Sequence, residues 1–138
     1  MEPERIKHLE FIQNIITRMN TNSFQIKGWM ITIVSALLAI YADKGNVLFI
    51  FVAVAPTLVF WFIDSYFLQQ ERRFRGLYND VRISQTKILV FSMNIEKYKG
   101  GIYNFWNCFF STTIWPLYGL IIVGLIIIGL LIKHGIIN

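Results

Sequence analysis

Three apolar runs, each about as long as a helix must be to cross a bilayer, constrain this chain more than any other feature. A membrane helix needs about 20 mostly apolar residues to cover roughly 30 Å of hydrocarbon. Residues 24–42 (FQIKGWMITIVSALLAIYA), 47–68 (VLFIFVAVAPTLVFWFIDSYFL) and 114–132 (IWPLYGLIIVGLIIIGLLI) meet that requirement. Composition agrees, since 55% of the 138 residues are hydrophobic and the mean hydropathy is +0.52. A soluble domain of this size leaves much of its surface in water and cannot hide so much apolar side chain. The expected class is therefore an all-α integral membrane protein with three transmembrane helices.

The formal charge of +5 says less than where the charges lie. Of the 13 Lys and Arg residues, only Lys44 and Lys133 fall on one predicted side. The rest flank the opposite ends of the spans: Arg5, Lys7, Arg18 and Lys27, then Arg72, Arg73, Arg75, Arg82, Lys87, Lys97 and Lys99. Cytoplasmic loops carry the excess of Lys and Arg, so the amino terminus and the long loop are expected inside and the carboxyl tail outside. Trp29, Trp61, Trp106 and Trp115 all fall near the predicted cytoplasmic span ends, where indole rings favour the interface.

Residues 1–23 read as a cytoplasmic amphipathic helix rather than a cleavable leader, because Arg5, Lys7, Glu10 and Arg18 interrupt any short apolar core. Leu9, Ile12, Ile16 and Met19 recur at three and four, and the register continues through Ser23 to Ile26, Met30, Ile33 and Leu37. Such a seam serves equally for packing within one subunit or for association between copies. The unbroken register favours one continuous or slightly bent helix into the first span, with Asn20 to Ser23, poor helix formers, as the break candidates. On the opposite side of the first span lie Gly28, Thr32, Ser35, Ala39 and Ala42. Small residues let membrane helices approach closely; alternatively Thr32, Ser35 and Ala39 could line a narrow pore.

Pro56 should kink the second span by removing a backbone donor. Asp64, near the end of that span, needs protein or water around it. It lies at a depth similar to Lys27, which suggests an ion pair; a carboxylate at a cation pathway is the functional alternative. The third span is the most uniformly apolar, is expected to face lipid, and carries Pro116 in its first turn.

Residues 69–113 form the expected cytoplasmic basic helix and loop, ending in an interfacial aromatic segment. Arg72, Arg73, Arg75 and Arg82 interleave with Phe74 and Tyr78. This pattern suits anionic lipid, and it also suits a nucleotide or oligonucleotide held by Arg72, Arg73, Arg75, Tyr78 and Arg82. The stretch 87–101 is ambiguous between a short strand and a helical turn. Catalysis is not expected. His8, read as a solvated residue, and His134 fall on opposite sides of the bilayer, and no nucleophile–base pair, phosphate loop or metal-ligand spacing can be assembled. Cys108 is the only cysteine, so an internal disulfide is excluded. No cofactor is expected.

The stretches RMNTNSFQIKGW (18–29) and FLQQERRFRGLY (67–78), joined by a kinked span ending in Asp64, resemble compact bacterial transmembrane effectors encoded beside nucleotide-signal synthases in anti-phage systems. The Hailong-type channel effectors are the family meant. The resemblance implies a homo-oligomer, tetrameric in preference, in the bacterial inner membrane. Its opening would collapse the membrane potential under control of a nucleotide signal, with that signal or its synthase as a partner besides lipid and further copies. No residue-level site is carried over from it. On this reading Thr32, Ser35, Ala39 and Asp64 line the pore, and Leu9, Ile12, Ile16 and Met19 form the oligomer seam. The alternative is a non-conducting anchor or accessory subunit that docks a cytoplasmic partner.

Overall fold

The computed structural model describes residues 2–83 and 88–135, so Lys87 and the last three residues of the predicted tail lie outside the described residues. The fold is all-helical, with no strand among those residues. In chain order come α1 (Pro3–Lys44), α2 (Leu48–Val52), α3 (Val54–Val81), a single 3-10 turn (Gly101–Tyr103), α4 (Phe105–Phe109) and α5 (Trp115–Lys133). Three helical stretches are long and apolar enough to cross a membrane: Pro3–Lys44, Leu48–Val81 and Trp115–Lys133.

Helix α1 runs without interruption through Asn20 to Ser23. Four poor helix formers cost about 0.5 kcal/mol each, which is small beside ending one helix and nucleating a second. Ile16 and Ile26, buried on either side of the stretch, keep both flanks packed. The helix ends where Gly45 takes a positive φ of 71°, and its N–H returns to the Tyr41 carbonyl at 2.7 Å. The Asn46 side chain then accepts the Leu48 N–H at 3.0 Å, so the turn out of α1 is stabilised locally.

Between α2 and α3 the helical pattern lapses at Ala53, three residues before Pro56. Pro56 has no N–H for the Val52 carbonyl, so the lapse falls one turn upstream of the proline itself. Ala53 keeps helical angles (φ −62°, ψ −19°), and the Thr57 hydroxyl donates to its carbonyl at 2.9 Å.

The chain divides into two compact units, Met1–Ser23 with Ser65–Cys108, and Phe24–Asp64 with Phe109–Asn138. In the first, Ile12 and Ile16 of α1 pack on Leu77 and Val81 of α3 and on Tyr98 of the loop. The loop is fixed by side chains that donate to its carbonyls. Arg5 reaches Ile88, Arg73 reaches Ile95, Arg72 reaches Ile102 and Gln69 reaches Tyr103, each at 3.0 Å. Residues 88–100 fold as turns, with the Ser92 N–H on the Leu89 carbonyl and the Tyr98 N–H on the Ile95 carbonyl at 3.1 Å each, and not as the short strand that is the other alternative for 87–101. His8 is fully buried with its Nε2 2.6 Å from the Ser92 carbonyl oxygen, not solvated as expected. It occupies the same line as Ile12 and Ile16, one helical turn earlier.

In the second unit, the buried residues are Ile26, Met30 and Val34 of α1, Ile50 of α2, Ala53, Thr57 and Asp64, Phe109 of α4, and Ile114, Tyr118, Leu125 and Gly129 near or within α5. The rest of α5 is divided between exposed and half-buried positions. At Gly129 the missing side chain makes room for Phe51, whose ring carbon would lie 2.7 Å from an added Cβ.

Candidate functional site

The one fully buried carboxylate among the described residues is Asp64 of α3. Its Oδ2 accepts from the Lys27 ammonium at 2.5 Å and from the Tyr118 hydroxyl at 2.9 Å. Lys27 belongs to α1 and is a quarter exposed, whereas Tyr118 belongs to α5 and is fully buried. One polar centre thus joins the three apolar helices of its unit. A lone charge costs about 2.5–3.5 kcal/mol at the centre of a membrane helix and less toward its end, and pairing with Lys27 offsets that cost for Asp64. Trp61, one turn before Asp64, closes the flank. Its indole N–H donates to the Phe109 carbonyl at 3.0 Å, and its ring stacks on Phe109 at 4.1 Å between centroids.

Sequence depth alone brings Lys27 and Asp64 together as expected. Tyr118 is not legible in that way, although a tyrosine inside an apolar run needs a partner for its hydroxyl and so marks a polar contact. The centre holds no nucleophile beside a base, and no cluster of three potential metal ligands occurs among the described residues.

The small-residue stripe of α1 is open. Gly28, Thr32, Ser35, Ala39 and Ala42 are all exposed, opposite the buried Ile26, Met30 and Val34. The Thr32 hydroxyl donates back to the Gly28 carbonyl at 2.9 Å, which leaves its oxygen lone pairs outward. Ser35 borders a shallow apolar groove of about 230 Å³ that α1 shares with Leu120, Gly124 and Ile128 of α5.

The expected seam is not an open face. Ile12 and Ile16 are buried in the chain's own core, with Leu9 packed beside them and Met19 half-buried. The pattern is correct as periodicity, but intrachain packing uses it up.

The basic segment likewise divides its work. Arg72 and Arg73 hold loop carbonyls, and Arg72 also lies 3.6 Å from the Cys108 sulfur. Arg75 forks onto Glu71 at 2.9 and 3.2 Å, Tyr78 packs beside the core, and Arg82 is exposed. The guanidinium groups of Arg72, Arg73 and Arg75 thus each have a different partner within the chain. Burial pushes the Cys108 thiol above its ordinary range, with Arg72 opposing the shift. Burial, and then the hydrogen bond to Asp80, raise Tyr98 well above the usual phenol range. Neither protein-family models, curated proteins nor solved structures match this chain.

Proposed function

We propose that this chain is a subunit of a homo-oligomeric ion channel in a bacterial inner membrane, amino terminus inside, gated by a nucleotide signal in anti-phage defence. The observation that carries the proposal is the exposed stripe of Gly28, Thr32, Ser35, Ala39 and Ala42 on an apolar helix. Three spans of one 138-residue subunit cannot enclose a pore, so conduction requires assembly. Helix association in lipid favours faces of small and hydroxyl-bearing residues, and α1 presents such a face, exposed among the described residues and bordered at Ser35 by the groove with α5. Thr32, Ser35 and Ala39 then line the pathway, while Asp64 is the structural charge that fixes α1, α3 and α5 to each other. Positive residues crowding one side of the spans support the orientation. The nucleotide signal rests on the resemblance to the effectors named above.

The test is ion flux from liposomes holding the purified protein, with and without nucleotides. Ser35→Trp should abolish flux that the unaltered chain supports. Absence of flux under every nucleotide condition, from protein that runs as a monomer in detergent, overturns the reading. The second reading, a non-conducting anchor, is favoured by the neutralisation of Asp64 by Lys27 and by the use of Arg72 and Arg73 to hold the loop. It leaves those same flux measurements at background.

A further inference from the structure

Within the unit built from Met1–Ser23 and Ser65–Cys108 lies a cavity of about 430 Å³ that the arginine pattern does not single out. Arg73, Lys99, Asn104, Tyr103 and Trp106 are among its lining residues, and no carboxylate is. Three cations of this unit are paired with carboxylates, Lys7 with Glu10 at 3.2 Å, Arg75 with Glu71 at 2.9 Å and Lys97 with Asp80 at 3.0 Å. Among the described residues Arg73 and Lys99 have none.

Arg73 is the more telling of the two. Its Nη2 donates to the Ile95 carbonyl, yet its Nε is buried with no hydrogen-bond partner. Its Nη1 is neither bonded nor closed off. A guanidinium is always charged and carries five donors, and buried donors in native proteins are almost always matched. The Nη1 donors are thus left for an acceptor from outside the chain, and an anionic, oxygen-rich group suits a planar fork. Asn104, also in the lining, uses its Oδ1 on the Trp106 backbone N–H at 2.8 Å, which leaves its amide NH₂ as a further donor. Lys99 supplies a second positive charge, and the Trp106 ring stands exposed at the rim.

We infer that this cavity is a phosphate-ester site, in which Arg73, Lys99 and Asn104 hold the phosphate oxygens and Trp106 covers the group that the phosphate carries. Two sources share that chemistry. One is the headgroup of an anionic lipid, whose glycerol would lie against the exposed aromatic side chains. The other is a nucleotide, whose base would stack on the indole. The inference is independent of whether the chain conducts, because it concerns binding alone.

The experiment uses the full chain in nanodiscs. One arm adds phosphatidic acid to phosphatidylcholine discs; the other adds adenosine monophosphate or inorganic phosphate to discs of phosphatidylcholine only. Binding in the first arm alone identifies the headgroup, and binding in the second identifies the free phosphate. In whichever arm binds, Arg73→Gln and Lys99→Gln should each weaken it about tenfold, the effect of losing one charge-assisted hydrogen bond. Arg75→Gln, whose partner is Glu71, should leave it unchanged. If Arg73→Gln disturbs folding by freeing the Ile95 carbonyl, the exposed Lys99 decides the matter alone. No binding in either arm, or an equal effect of Arg75→Gln and Lys99→Gln, overturns the assignment.

Discussion

At the residue scale, Asp64 shows how a charge survives in an apolar helix. Its two donors arrive from two different helices, at 2.5 and 2.9 Å, so neither can leave without exposing a buried charge. Lys27→Met should destabilise the protein by about 3–5 kcal/mol, because the carboxylate is left unpaired. Combining it with Asp64→Asn should recover most of that loss. Equilibrium unfolding of the two variants in mixed micelles checks this, and a double variant no more stable than the single one would sink it. Tyr118→Phe removes one bond to a charged acceptor and should cost about 1.5–3 kcal/mol. Cys108 offers a test away from the spans. Its thiol is fully buried and its pKa is raised, so less thiolate exists at neutral pH than for a free cysteine. Maleimide alkylation at pH 7.5 should be slow in the folded protein and rapid once the chain is unfolded in detergent. The Asp64–Lys27 pair was legible in the sequence because both lie at equal depth from the same side. Tyr118 and His8 were not, since their burial depends on which face a helix turns inward.

Elements follow from local rules until packing overrules them. The sequence sets an unbroken register against break candidates at Asn20 to Ser23, and it marks a kink at Pro56; the helix runs on through the first stretch, and the helical pattern lapses at Ala53 ahead of the second. Propensity is a weak preference that buried neighbours can outweigh, whereas a missing N–H cannot be restored by packing. The spans were legible because length and apolarity are properties of the sequence alone. The loop 88–100 was not, because its shape depends on arginines donating to its carbonyls from a distant helix. Two glycines of α5 provide a matched test of helix packing. An added methyl at Gly129 meets the Phe51 ring at 2.7 Å, while at Gly124 nothing lies within 4 Å. Gly129→Ala should therefore lose about 1–3 kcal/mol through overpacking. Gly124→Ala should be neutral or slightly stabilising, since it replaces a poor helix former. Thermal melts of the two variants in detergent separate these outcomes, and equal effects would mean that Phe51 does not occupy that space.

At the scale of the whole molecule, the proposed assembly turns on which face of α1 would meet another copy. The heptad-like seam and the small-residue stripe were both visible in the sequence, and periodicity could not rank them. The structure buries Ile12 and Ile16 within the chain and leaves Gly28, Thr32, Ser35 and Ala39 open, which gives the ranking a physical basis. In a symmetric ring, residues near the axis approach their own counterparts, and two cysteines link only when their Cα atoms come within about 7 Å. With Cys108 first replaced by serine, Thr32→Cys should therefore give disulfide-linked dimers under mild oxidation in native membranes. Ile12→Cys should give none, because its side chain lies under Leu77 and Val81. The reverse pattern would mean that assembly opens the core around Ile12 and that copies associate through the seam. Linkage at neither position, in protein that sizing shows to be monomeric, would remove the stripe as an interface and with it the pore that the stripe is proposed to line.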